Sequence, residues 1–159
     1  MKTNYLVLFI LGTFLFSACN VGVKKDLLSG LKVTNSGLSY KDAYLQIGDK
    51  KITSTEFKIG DEIVLYVDGV EGYTEKDGKV YIGASLDIID PSGKKVMDNP
   101  DLFTGYDATG LAKEQAAVIT LKLTTGPPLV TGVKYVWKSK IWDKNSKSEI
   151  NAELEFTIK

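Results

Sequence analysis

The sequence has 159 residues, enough for one domain with a full hydrophobic core, and its 20 lysines balance 20 acidic residues. The zero net charge and the lack of arginine argue against a nucleic-acid partner and against bidentate recognition of phosphate. Without histidine and with one cysteine, the chain has no Ser-His-Asp or Cys-His catalysis, no usual zinc or iron site and no internal disulfide. We therefore expect a protein that is not an enzyme.

The first twenty residues indicate an export signal. Lys2 precedes an apolar run from Leu6 to Phe16, which suits a signal peptide and is too short to span a bilayer as a helix. The run ends at Phe16-Ser17-Ala18-Cys19, where small residues come directly before the cysteine. This segment resembles the lipobox of bacterial lipoproteins, with Phe16 in the place where leucine is commonest. The resemblance implies cleavage before Cys19 and attachment of diacylglycerol to its sulfur, so that the lipid anchors the chain to a membrane.

Sequence features also bear on where such an anchor would hold the domain. The all-lysine basic complement and the relaxed lipobox resemble those of Bacteroidetes lipoproteins. In enteric-type sorting, lipoproteins with aspartate directly after the cysteine stay in the inner membrane. By resemblance, Asn20 at this position favours the outer membrane. Residues 21–26 lack the acidic run that directs some Bacteroidetes lipoproteins to the surface, so the periplasmic and surface faces both stay open. The alternative is an ordinary secretory signal that leaves Cys19 unmodified. We predict a signal peptide over 1–18, a lipidated tether over 19–37 and one domain over 38–159.

Short segments that alternate apolar and polar residues make up the rest of the chain, and turn residues separate them. Such segments predict strands at Leu31–Thr34 (an edge strand), Ala43–Ile47, Ile52–Phe57, Ile63–Val67, Val80–Ile88, Ile119–Leu123, Tyr135–Ile141 and Ile150–Ile158. Only Leu111–Ala117 has a helical pattern, of about two turns at most. Seven or eight strands, each with one solvated face, predict an all-β fold, a two-sheet antiparallel β-sandwich.

The second half of the chain carries a further resemblance. Leu86 to Lys94 and Gly132 to Trp137, continuing to Asp143, are similar to bacterial immunoglobulin-like and macroglobulin-like modules, in which Gly-x-x-Tyr often enters a late strand. The resemblance covers roughly residues 60 to 159 and implies an immunoglobulin-like sandwich. Domains with many different functions share this motif, so it supports the fold and not an activity.

The longest interval between predicted strands, from Met97 to Gln115, holds candidate metal ligands. Oxygen donors of the kind that calcium prefers are grouped there, namely Asp98, Asn99, Asp101 and Asp107. Their spacing does not follow the pattern of an EF-hand loop. The alternative is that these side chains cap turns and solvate a connection.

Aromatic residues suggest a ligand platform. Trp137 lies on the apolar face of its predicted strand, whereas Trp142 has the opposite parity and stands beside Asp143. Together with Tyr66, Tyr106 or Tyr73, Trp142 could stack against a sugar or a peptide. The alternative is that Trp142 covers a sheet edge.

These features together favour a lipid-anchored binding or scaffolding module of the cell envelope, attached to the outer membrane, whose partner is a glycan or an envelope protein. A structural accessory subunit of an outer-membrane complex and a calcium-stabilised adhesion module are the alternatives. Apart from the diacylglycerol lipid on Cys19 and the calcium considered above, the sequence implies no cofactor.

Overall fold

The computed structural model describes residues 21–26 and 28–159, which form mainly β-strands. In chain order the strands are β1 (Val21–Lys25), β2 (Lys32–Ser36), β3 (Asp42–Ile47), β4 (Lys50–Ile52), β5 (Glu56–Phe57), β6 (Glu62–Asp68), β7 (Ile82–Ile89), β8 (Lys95–Asn99), β9 (Val118–Thr124), β10 (Lys134–Asp143) and β11 (Glu149–Ile158). A 3₁₀ turn at Thr104–Tyr106 and one α-helical turn, α1, at Lys113–Ala116 lie between β8 and β9. The helix expected at Leu111–Ala117 is therefore a single turn.

The strands form two sheets that pack face to face. The larger has seven strands in the order β1-β2-β11-β10-β7-β8, with β5 pairing to β11 beyond the end of β2, and the smaller has the order β4-β3-β6-β9. Every pairing is antiparallel except β5 with β11. The prediction of an all-β, two-sheet antiparallel sandwich is confirmed, whereas the immunoglobulin-like assignment stays a prediction.

Eleven strands lie within the described residues, more than the seven or eight expected. Strands β1 and β8 were not anticipated because their five residues show no regular alternation of apolar and polar side chains. The segment Ile52–Phe57 contributes to two short strands, β4 and β5, which belong to different sheets.

Alternate residues of each long strand fill the space between the sheets. The inward positions of β10 and β11 are those expected from their alternation, and all of them are buried: Tyr135, Trp137, Ser139, Ile141, Ile150, Ala152, Leu154, Phe156 and Ile158. A polar residue is tolerated at position 139 because the indole N–H of Trp137 donates a hydrogen bond of 2.7 Å to Ser139 Oγ.

Strand β2 lies inside the larger sheet rather than at its edge, where it had been expected. It pairs with β1 on one side and with β11 on the other, and it buries Val33. The described part of the expected tether, residues 21–26 and 28–37, thus supplies two strands, and the sandwich begins before residue 38.

One row of residues marks the end of the sandwich at which β1 starts. Val21 pairs with Ser36, Ser36 with Glu149, Glu149 with Trp142, and Trp142 with Gly83. We call this the β1 end. The connection between β8 and β9 and the hairpin turn between β10 and β11 lie at the same end, because β8 finishes and β11 starts there.

Candidate ligand-binding groove

Trp142 projects from the outer face of the seven-stranded sheet and lies against the backbone of Gly83. A Cβ atom placed on Gly83 would be 2.2 Å from Cε2 and Cζ2 of the indole and 2.7 Å from Nε1. Residue 83 therefore has to be glycine for the ring to occupy this position, since carbon atoms in contact normally keep about 3.5–4.0 Å. Parity along β10 placed Trp137 inward and Trp142 outward, and both placements are confirmed.

A groove of about 650 Å³ extends from Trp142 across the outer face of the sheet. We call it the Trp142 groove. Its lining combines two apolar side chains with three carboxylates, three ammonium groups and three hydroxyls, from Trp142, Pro100, Asp87, Asp98, Glu149, Lys95, Lys140, Lys147, Ser85, Ser146 and Ser148. A second depression shares Ser85, Asp87 and Lys140 with it, so the concave surface continues toward β2.

Opposite charges in the Trp142 groove are paired. Lys95 Nζ lies 2.8 Å from Asp87 Oδ2 and 3.3 Å from Asp98 Oδ1, and Lys140 Nζ lies 2.5 Å from Glu149 Oε2. The hydrogen bond to Asp87 raises the pKa of Lys95, and the hydrogen bond from Lys140 lowers the pKa of Glu149. Lys95 and Glu149 consequently stay charged at neutral pH, and the lining has equal numbers of carboxylates and ammonium groups.

The buried carboxylate of Asp143 fixes the hairpin turn that forms the rim of the groove. It accepts hydrogen bonds from the backbone N–H of Thr74 at 2.8 Å, the backbone N–H of Asn145 at 2.9 Å and Ser146 Oγ at 2.7 Å. Burial acts to raise the pKa of Asp143, but the three hydrogen bonds outweigh it and lower the pKa. The turn that carries residues 146–148 is thus tied to a loop about seventy positions earlier in the chain.

The structure does not bring the predicted aromatic platform together. Tyr66 lies on the outer face of the other sheet, where it stacks on Tyr44 with ring centroids 5.3 Å apart. Tyr106 is in the β8–β9 connection and packs on Phe103, and Tyr73 is buried. Trp142 is the member of the proposed set that lines the groove.

The four candidate calcium ligands also do not converge. Asp101 and Asp107 both contact the ammonium group of Lys144, with 2.6 Å between Lys144 Nζ and Asp101 Oδ2. Asp98 instead contacts Lys95, and Asn99 pairs with Leu86 in the β7–β8 ladder. The described residues contain no group of three or more acidic or other ligating side chains arranged to hold a metal ion.

The connection expected between Met97 and Gln115 is shorter and more ordered than the sequence suggested. Met97 to Asn99 belong to β8, and Lys144 fastens the remainder to the β10–β11 hairpin. Burial acts to lower the pKa of Lys144, but its hydrogen bonds to the two aspartates outweigh it and raise the pKa.

Gly83 and Pro100 are among the residues that shape the groove and that sequence reasoning missed. Gly83 interrupts the regular strand Val80–Ile88, and an isolated glycine in a strand indicates the close approach of another group. That signal was available. Pro100 was not identifiable because it follows β8, the strand whose irregular pattern concealed it.

Cys19 and the lipobox lie outside the described residues. Within the part of the chain that the structure describes, no helix is long and apolar enough to cross a membrane. No family model matches the chain, and no curated protein is significantly similar to it.

Proposed function

We propose that this protein is a lipid-anchored, non-enzymatic binding module of the cell envelope, and that it binds a saccharide in the Trp142 groove. The observation that carries the proposal is the position of Trp142, which rests on Gly83 and forms the aromatic wall of an open groove whose other lining residues, apart from Pro100, are polar. Its indole N–H donates no hydrogen bond within the described residues.

The chemistry of the lining favours a saccharide over an anion or an apolar ligand. A sugar ring has an apolar face that stacks on an indole and a rim of hydroxyls that both donate and accept hydrogen bonds. The paired carboxylates and ammonium groups supply acceptors and donors close to the ring. An anionic ligand would instead require an excess of positive charge, which this groove does not have.

The anchor and the location come from the sequence. The lipobox resemblance at Cys19 supports lipidation, and Asn20 supports attachment to the outer membrane, on its periplasmic or its surface side. Two acyl chains would hold the domain stably at the membrane.

The test is glycan binding by the full chain, purified in detergent from bacterial membranes, on a panel of immobilised polysaccharides. Trp142→Ala should weaken retention at least about ten-fold, because a central tryptophan commonly contributes 2 kcal/mol or more to binding. Tyr66→Ala is the matched control, since it removes an aromatic side chain from the outer face of the other sheet. Equal retention by native protein and Trp142→Ala, or no retention of any polysaccharide by the native chain, would refute saccharide binding in this groove.

The anchor is tested separately with Cys19→Ser. In cell fractionation, the variant should appear in the soluble fraction instead of the membrane fraction, and it should no longer be labelled by a fatty-acid analogue. A variant that keeps its label would contradict lipidation at this residue.

A docking role in an envelope complex is the second candidate. Leu102 and Tyr106 are exposed by 45% and 46%, and both lie in the β8–β9 connection at the β1 end. An accessory subunit would co-purify with a membrane complex through this connection and would be indifferent to sugars. Crosslinking that depends on Leu102 and not on Trp142 would favour this candidate.

A further inference from the structure

The Trp142 groove lies at the end of the sandwich where the described chain begins. Val21, Ser36, Glu149 and Trp142 form one paired row across β1, β2, β11 and β10. Adjacent strands lie about 4.8 Å apart, so three spacings place Trp142 about 14 Å from Val21.

The chain between Val21 and the proposed lipid attachment is very short. Cys19 lies two positions before Val21, with only Asn20 between them, and two steps of fully extended chain reach at most about 7 Å. The Cα atom of Trp142 consequently lies within about 21 Å of the Cα atom of Cys19, whichever way the domain tilts. The other end of β10, at Lys134, lies about 26 Å beyond Trp142.

We propose that the ligand of the Trp142 groove is the saccharide headgroup of a glycolipid in the membrane that holds the anchor. This inference rests on the proposed function, from which it takes both lipidation and saccharide binding. The short tether confines the groove to the layer of water next to the bilayer. Saccharides that project from the headgroups occupy the same layer, so they meet the groove at a high effective concentration.

The charges of the groove are consistent with the sugar part of such a lipid rather than with a phosphate group. Lys95 and Lys140 are already paired with carboxylates. Lys147 is the one ammonium group of the lining that makes no ion pair within the described residues. A phosphate would therefore find no cluster of free lysines, and the chain has no arginine to replace them.

The experiment compares tether lengths in a defined membrane. The lipidated full chain is reconstituted into phosphatidylethanolamine vesicles with increasing amounts of lipopolysaccharide, and protection of Trp142 from acrylamide quenching is measured above the constant signal of buried Trp137. One variant carries twelve Gly/Ser residues between Asn20 and Val21. A matched control carries the same insertion after Gly93, in an exposed turn at the opposite end of the sheet where the structure leaves open space.

Native protein and the Gly93 insertion should show half-protection at the same lipopolysaccharide content. The tether insertion should require roughly three-fold more, because a flexible tether of fourteen residues lets the groove sample a layer about 20 Å thick instead of about 7 Å. Polysaccharide released from the lipid should protect only at much higher concentration.

The possible failures are distinguishable. An unchanged half-point in the tether variant, or equal protection by released polysaccharide and intact lipopolysaccharide, would overturn the membrane-bound ligand while leaving saccharide binding in place. The membrane-bound ligand would also be overturned if the protein retained a soluble glycan but glycolipid vesicles did not protect Trp142 from quenching. Failure of every saccharide, soluble or membrane-bound, to protect Trp142 would overturn the proposed function itself.

Discussion

The substitution Gly83→Ala isolates the contact on which the Trp142 groove depends. The added methyl would lie 2.2 Å from two indole carbons, so the ring has to move by more than about 1 Å to reach normal contact. Overpacking of this kind costs about 1–3 kcal/mol, and we expect the low end because Trp142 is only partly buried and can swing away. Gly83 does not have a left-handed backbone, so alanine adds no strain there and stabilises by about 0.4–1 kcal/mol through the unfolded chain.

The net change in the free energy of unfolding should therefore stay within about 1 kcal/mol, while the indole changes its surroundings. Tryptophan emission should shift to the red and acrylamide quenching should rise, since Trp137 stays buried and contributes a constant background. Gly105→Ala is the control, because a methyl at Gly105 meets no atom within 4 Å. Native-like emission and quenching in Gly83→Ala, with urea unfolding confirming a folded chain, would show that the ring does not rest on residue 83.

Two further predictions concern the connections at the β1 end. Asp143→Asn should destabilise the protein by about 2 kcal/mol at pH 7. Because the folded-state pKa of Asp143 lies below its ordinary value of 3.8, the native protein keeps its full stability difference from the variant above that pH. In urea unfolding from pH 7 to 2, this difference in the free energy of unfolding should disappear as the pH falls through the folded-state pKa. A constant difference across this range would contradict a charged, hydrogen-bonded Asp143. Lys144→Met should lower the free energy of unfolding by about 1–2 kcal/mol and accelerate amide exchange over residues 101–110, because it leaves Asp101 and Asp107 without their shared cation. The control Lys138→Met removes an exposed ion pair and should lower the free energy of unfolding by less than about 0.5 kcal/mol. Equal exchange in the two variants would show that Lys144 does not hold the connection.

Much of the fold follows from local alternation in the sequence. The strands around Trp137 and Phe156 were predictable because nearly every second side chain along them is apolar. Strand β8 was not predictable, since its central residues Val96 and Met97 are both partly buried and break the alternation. The role of β2 was underestimated for a different reason: its pairing with β11 joins residues more than 110 positions apart, and no local pattern encodes such a partner.

The groove was predictable only in its central residue. The parity of Trp142 relative to Trp137 gave its outward direction, but its partner Gly83 lies 59 positions earlier and approaches it only through the pairing of β7 with β10. The aspartates of the β8–β9 connection were considered as calcium ligands, beside the alternative that they cap turns, because the sequence reveals carboxylates and not the lysine that contacts them. Lys144, from another hairpin, supplies the positive charge that Asp101 and Asp107 need.

The position of β11 has a consequence for how the chain acquires its structure. The ten residues of β11 lie between β2 and β10 and also pair with β5, so these three strands, which are made earlier, lack one partner until β11 has been made. The seven-stranded sheet therefore cannot form completely on a growing chain before β11 has been made.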